Sequence, residues 1–110
     1  MNFPGTGSRR LTVATRESDI EKYLAGLVRD ARGIYLKIPA VYMSGIPDRL
    51  VLLPKGKMCF VELKRPIGGK RAELQKYWHE KLKGLGYEAE FVQNKDEADA
   101  LMEKLTSKKR

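Results

Sequence analysis

The strongest constraint on the fold is a pair of short apolar segments joined by a tight turn. Residues 48–53 and 58–64 flank the sequence P-K-G-K. Aliphatic and β-branched residues on both sides of a turn that contains Pro and Gly are typical of a β-hairpin. Folding about this turn brings position 48 beside position 62, within one residue of register. The fold therefore has to accommodate two acids, Asp48 and Glu62, at one end of a two-stranded ribbon.

Periodicity and chain breakers predict further elements on both sides of the hairpin. These are a helix that begins near Arg16 and ends at Gly33, a strand at 34–42, a helix that follows the sequence P-I-G-G and ends at Gly86, a strand at 87–92, and a helix at 96–105. The apolar positions with helical spacing are Ile20, Leu24, Leu27, Val28 and Ala31 in the first helix, and Leu74, Trp78, Leu82 and Leu85 in the second. Pro39 requires its strand to lie at an edge, to bulge or to end early. The predicted order is αβββαβα.

Length and charge indicate one basic domain. A chain of 110 residues is long enough for a single modest core. The 22 Lys and Arg against 14 Asp and Glu give a formal net charge of +8. This excess favours a polyanionic partner, nucleic acid first and an anionic membrane second, with a generic basic protein as the alternative.

The remaining composition restricts the compartment and the boundaries. Cys59 is the single cysteine, so no disulfide within the chain is possible. No apolar stretch approaches the roughly 18 residues of a membrane span, and we expect a cytoplasmic protein without a membrane partner. Residues 1–15 are predicted to be a flexible segment, 16–105 the domain and 106–110 a basic tail.

The acids and the lysine at the end of the hairpin suggest a metal site. The side-chain period of two places Glu62 and Lys64 on one face of their strand, and Asp48 returns beside them. Two adjacent carboxylates repel each other unless a cation intervenes, and hard oxygen ligands suit Mg²⁺ or Mn²⁺. The alternative is a surface ion pair between Lys64 and one of the two acids, with no chemistry.

The first helix offers a third acid. On a helical wheel, Glu17 lies about 36° from the centre of the apolar stripe and Glu21 about 76° from it, which favours Glu17 as the residue that faces the sheet. The sequence Ser18-x-x-Glu21 also fits a capping box, which would leave Glu17 outside the helix. Both acids remain candidates.

These residues resemble the PD-(D/E)XK nuclease superfamily, whose signature is matched by Pro47-Asp48 and Glu62-Leu63-Lys64. Within it, the sequences E-S-D-I-E-K-Y-L, G-I-P-D-R-L-V-L-L-P, F-V-E-L-K-R-P and L-Q-K-Y-W are similar to the VRR-NUC family over residues 16–94. The Val-Arg-Arg triplet that gives the family its name is absent from the chain. The resemblance implies an α/β fold with a restriction-endonuclease-like core, in which helices flank a central mixed sheet.

The resemblance also implies roles for individual residues. Asp48, Glu62 and the Leu63 carbonyl would bind Mg²⁺ or Mn²⁺, with Glu17 assisting directly or through water. Lys64 would orient the attacking water, and Gln75 would line the site, although ordinary helix surface is the alternative for Gln75. With one histidine and one cysteine there is no zinc-ligand set.

Side chains outside this set are given simpler interpretations. His79 is expected on the helix surface, and Trp78 in the core or an interface. A basic zone near the proposed site is interpreted as a phosphate track, in part a solvated helix face. Its members are Lys64, Arg65, Lys70, Arg71, Lys76, Lys81 and Lys83.

The expected function is a metal-dependent endonuclease that acts on branched DNA. A homodimer would place two sites on opposite strands of a four-way junction, as a Holliday-junction resolvase requires. Phe3 and residues 34–42 are candidate interface material, with a disordered arm and a core strand as the respective alternatives. The alternatives are a noncatalytic DNA-binding or assembly module and a nonspecific or RNA-directed nuclease.

Overall fold

The computed structural model describes residues 17–39, 43–63 and 68–107. The order αβββαβα is confirmed. The elements are α1 (Glu17–Asp30), β1 (Ile34–Lys37), β2 (Arg49–Leu53), a 3₁₀ turn (Pro54–Gly56), β3 (Lys57–Glu62), α2 (Gly69–Gly84), β4 (Glu88–Phe91) and α3 (Lys95–Thr106).

The four strands form one mixed sheet in the order β1-β2-β3-β4. The pairs β1–β2 and β2–β3 are antiparallel, whereas β4 runs parallel to β3. The parallel pair requires a crossover, and α2 supplies it. An α/β fold in which helices flank a central mixed sheet is therefore confirmed.

One face of the sheet carries the hydrophobic core. Cys59 and Val61 of β3 are fully buried beneath α1 and α3. Helix α1 buries Ile20, Leu24 and Val28 there, as its apolar period predicts. The helix ends at Asp30, and at Gly33, just beyond it, an added Cβ would lie only 2.3 Å from the Leu52 carbonyl oxygen. Close packing of chain against strand therefore fixes the end of α1.

Strand β1 is shorter than the strand predicted at 34–42, because the described residues 38 and 39 are not part of it. Strand β1 ends at Lys37, and the Ile38 amide then donates to the Asp48 carbonyl oxygen over 2.8 Å. Pro39 follows at once and has no amide hydrogen to continue the ladder. Residues 40–42 lie outside the described residues.

Helix α2 packs against β4 and buries a different set from the residues whose spacing predicts it. Leu74 is 36% exposed and Leu85 67% exposed. The buried residues are Ala72, Gln75, His79 and Leu82. The expectation that His79 lies on the helix surface is wrong, because its ring stacks on Phe91 of β4 with centroids 3.9 Å apart. This contact between α2 and β4 belongs to the buried side of α2, and local sequence does not reveal it.

Several predictions fall on residues outside the described ranges. Among them are Lys64, Arg65, the segment 1–15 and the end of the basic tail, whose first residue, Thr106, closes α3. The domain boundaries therefore stay predictions. Within the described ranges, no helix is both long and apolar enough to cross a membrane.

Candidate active site

Asp48 lies directly before the inner strand β2, at the end of a loop that packs against α2. Gly45 in this loop has φ of +86°, and a Cβ there would approach the Leu74 side chain to 2.6 Å. A side chain at position 45 would therefore be both strained and obstructed. Pro47 is fully buried and fixes the backbone immediately before Asp48.

Glu62 stands opposite Asp48 at the end of β3. The pairing of Arg49 with Val61 places Asp48 opposite Glu62 one step further along the antiparallel ladder. The Glu62 carbonyl oxygen accepts a hydrogen bond of 2.8 Å from the Val92 amide, which ties this end of β3 to the chain after β4. The predicted hairpin register is thus confirmed.

The two acids share a cavity of about 250 Å³ between the sheet and α2. The structure brings three of the predicted site residues together here: Asp48, Glu62 and Gln75. Gln75 is 7% exposed, so its amide belongs to the cavity wall rather than to ordinary helix surface. The described residues that line it are Met43, Ser44, Gly45, Ile46, Asp48, Glu62, Arg71 and Gln75.

The electrostatics of the cavity disfavour the charged form of Glu62. Burial and then the charge of Asp48 raise the pKa of Glu62 to about 7. Arg49 and Arg71 oppose this shift, and Glu17 adds to it. Asp48 Oδ1 is buried and finds no hydrogen-bond partner in the described part of the chain. An acceptor in this state lacks the compensation that buried polar groups normally have.

Two known proteins are similar to the chain over most of its length. No family model matches the chain. A protein of Acyrthosiphon pisum secondary endosymbiont phage 1 named "Putative nuclease p44" is 42% identical over 81 residues, which cover 74% of this chain and 86% of that protein. A solved structure described as a VRR-NUC domain superposes with a TM-score of 0.70 at 32% identity, over 82% of this chain and 97% of that one.

The chain belongs to the VRR-NUC family. The fold that this membership brings, a PD-(D/E)XK core, is the one described above. VRR-NUC domains are named as nucleases, and membership of this family supports a nuclease. The cavity that contains Asp48 and Glu62 is therefore the candidate active site. Asp48 follows the buried Pro47, as the superfamily signature requires.

A buried arginine accompanies the VRR-NUC acids and was not identified from the sequence. The Arg49 side chain is 11% exposed; its Nε donates to Glu21 Oε2 over 2.8 Å, and its Nη1 lies 3.0 Å from Asp48 Oδ2. Burial disfavours its charge, yet the hydrogen bond to Glu21 and the charge of Asp48 raise its pKa overall. The alternation of side chains along β2 could have indicated its burial, because Arg49 faces the same side of the strand as the buried Val51 and Leu53.

The two acids of α1 differ in their surroundings. Glu21 binds Arg49 and lies 3.6 Å from Lys37 Nζ, and although burial opposes it, these cations lower the Glu21 pKa. Glu17 is the exposed first residue of α1 and is not among the cavity residues, although its charge reaches Glu62. The choice of Glu17 as the assisting acid stays a prediction.

The donor set fits a hard divalent cation. Within the described ranges, no cluster of three or more Asp, Glu, His or Cys side chains could hold a metal ion. Mg²⁺ needs fewer, because it is commonly bound through one or two carboxylates and keeps several waters. Asp48 supplies a buried oxygen that has no partner among the described residues, and Glu62 supplies a second carboxylate. Leu63 follows with its side chain in the core, and the role of its carbonyl stays a prediction.

Proposed function

We propose that this VRR-NUC protein is a Mg²⁺- or Mn²⁺-dependent endonuclease that hydrolyses phosphodiester bonds in branched DNA. The observation that carries the proposal is the pairing of Asp48 with Glu62 in one cavity, where Asp48 Oδ1 is buried without a partner among the described residues. Such an arrangement is costly unless a cation completes it.

Each site residue has a proposed task. Asp48, Glu62 and the Leu63 carbonyl hold the cation, and Glu17 assists directly or through water. When bound, a divalent cation lowers the pKa of water and balances the charge of the phosphate. Lys64 orients the attacking water, and Gln75 fixes polar groups at the cavity wall.

The substrate side of the proposal rests on the charge around the cavity. Arg71 lines the cavity from the exposed first turn of α2, and the same helix carries Lys70, Lys76, Lys81 and Lys83 on its exposed surface. Cations along one helix beside the acids suit a phosphate backbone, which they would contact without reading sequence. Recognition of DNA shape follows from such contacts.

A noncatalytic binding module is the main alternative. The carboxylates of Asp48 and Glu62, at the surface that meets a polyanion, would weaken binding, so a pure binding module gains nothing from them. The RNA-directed or nonspecific nuclease is separated from the proposal by the substrate panel below.

The test is cleavage of labelled four-way junctions, flaps, duplexes, single strands and RNA with Mg²⁺, Mn²⁺ or EDTA. Asp48→Asn and Glu62→Gln should each lower cleavage at least about 100-fold while DNA binding persists. The matched controls are Asp30→Asn and Glu103→Gln, which change exposed acids on α1 and α3. Full cleavage by either site variant would refute the metal centre, and equal cleavage of junction and linear duplex would refute the branched substrate.

We also propose a homodimer, because paired cuts in a junction need two sites related by a twofold axis. Supporting this, edge strand β1 presents Ile34 at 56% and Leu36 at 41% exposure. Their cross-strand neighbours Leu52 and Leu50 extend this apolar surface. Light scattering should give a dimer mass for the wild type and a monomer mass for the Ile34→Lys, Leu36→Lys variant. A monomeric wild type would refute the dimer.

The expected compartment is the reducing cytoplasm. Cys59 is a buried free thiol in the core, where burial raises its pKa and keeps it unreactive.

A further inference from the structure

Arg49 reaches Asp48 from the opposite face of the sheet. Alternation along β2 points Arg49 toward α1, together with the buried Val51, whereas Asp48 shares the other face with Glu62. The guanidinium therefore passes around the start of the strand to meet the Asp48 carboxylate. Its partner on the near side is Glu21 of α1.

The two oxygens of Asp48 are in different situations as a result. Oδ2 lies 3.0 Å from Arg49 Nη1, which also donates to the Asp48 carbonyl oxygen over 3.3 Å. Oδ1 is buried and has no hydrogen bond in the described structure. One oxygen is held, and the other is left for a ligand.

We propose that Arg49 is a positioning residue: it holds Asp48 by Oδ2 and its main chain so that Oδ1 is presented to a divalent cation, and Glu21 holds Arg49 in place. This inference rests on the proposed function, since it takes Asp48 as a cation ligand. It assigns Glu21 a supporting task on α1, distinct from that of an acid in the cavity.

The chemistry requires an arginine in this place. Nε and Nη1 of one planar group point in fixed directions, so one side chain satisfies Glu21 and Asp48 together. A lysine has a single nitrogen on a flexible stem and cannot reproduce both contacts in fixed geometry. Charge alone would act differently, because a nearby cation repels Mn²⁺ and its removal would tighten metal binding.

Loss of positioning would weaken Mn²⁺ binding, whereas loss of a repelling charge would tighten it. Calorimetric titration of Mn²⁺ into the cation-free protein therefore tests the proposal. Arg49→Met and Arg49→Lys should both weaken Mn²⁺ binding by about 10- to 100-fold, the usual effect of losing a partner of a metal ligand. Glu21→Ala, which removes no contact to Asp48, should weaken binding in the same direction. Arg29→Met and Glu103→Ala, which change exposed residues elsewhere, should leave the Kd unchanged.

A double-mutant cycle tests the order of the contacts. If Glu21 acts through Arg49, Glu21→Ala should have little further effect in the Arg49→Met background. Thermal unfolding in EDTA identifies any variant whose weaker binding reflects loss of the fold. If Glu21→Ala loses the fold, Glu21→Gln provides the replacement measurement, because its side chain still accepts a hydrogen bond but carries no charge. Glu21→Gln should bind Mn²⁺ more tightly than Glu21→Ala.

The outcomes separate this inference from the proposed function. Wild-type Mn²⁺ binding that Asp48→Asn abolishes but Arg49→Met leaves equal or tighter would overturn the positioning task and retain the metal centre. Wild-type Mn²⁺ affinity in Arg49→Lys would mean that only the charge of Arg49 matters, and that result would also overturn the positioning task. Absence of Mn²⁺ binding by the wild type would refute both proposals.

Discussion

Helices α1 and α2 cover opposite faces of the same sheet and bury different kinds of side chain. Helix α1 buries Ile20, Leu24 and Val28, an apolar stripe that seals the core. Helix α2 buries two polar residues, Gln75 and His79, together with Ala72 and Leu82. Leu74 on the helix and Leu85 just after its end are exposed. The difference indicates that α1 mainly stabilises the fold, whereas α2 closes a polar cavity over the two acids.

The largest effect on stability should distinguish the apolar residues of the two helices. Leu24→Ala removes a fully buried side chain from the core and should cost about 2–5 kcal/mol of unfolding free energy. Leu85→Ala, at an exposed position, should cost about 0.5 kcal/mol or less. Urea denaturation monitored by circular dichroism measures both. Equal losses would contradict the difference in burial between Leu24 and Leu85.

A smaller effect of opposite sign is expected beneath α2. The pKa of Glu62 is raised from 4.5 to about 7, so the folded state holds this proton more tightly than the unfolded state does. Its stabilising contribution is present below about pH 4.5 and is lost as pH rises to about 7. Glu62→Gln should therefore stabilise the cation-free protein at pH 8 by about 1–3 kcal/mol and have little effect at pH 4.5.

Urea denaturation in EDTA at the two pH values tests this prediction, with Glu103→Gln as the exposed control. A loss of stability at pH 8 in Glu62→Gln would mean that the carboxylate is compensated inside the protein. That result would break the contrast between the two faces of the sheet.

The smallest stability change is expected at Gln75, where function should respond more than folding. Gln75→Leu fills a similar volume in the cavity wall and should change the unfolding free energy by about 1 kcal/mol or less. Cleavage should nevertheless fall about tenfold, because a polar group at the cavity wall is lost. Parallel denaturation and single-turnover cleavage decide the matter; unchanged cleavage would make Gln75 a structural residue only.

The contrast between the helices also explains what could be predicted from sequence. The period of α1 and the turn of the hairpin are local signals, and both correctly predict structure, including the approach of Asp48 to Glu62. The buried side of α2 includes the stacking of His79 on Phe91, a contact between two different elements. Periodicity could identify the helix but not its partner.

Arg49 illustrates the same limit within the site. Its phase in β2 places it inward, which alternation could have indicated, but its partner Glu21 is identified only once α1 is packed on the sheet. Ion pairs between elements depend on three-dimensional placement. The proximity of Asp48 to Glu62 could be predicted from the sequence because one hairpin carries both acids.

The most direct test of the central claim, that Asp48 and Glu62 form a divalent-cation centre, is calorimetric titration of Mn²⁺ at pH 7.5. The wild type and the Asp30→Asn control should bind Mn²⁺ with the same affinity, and Asp48→Asn and Glu62→Gln should each weaken binding at least about tenfold. Mn²⁺ binding of wild-type affinity in either site variant would contradict the claim.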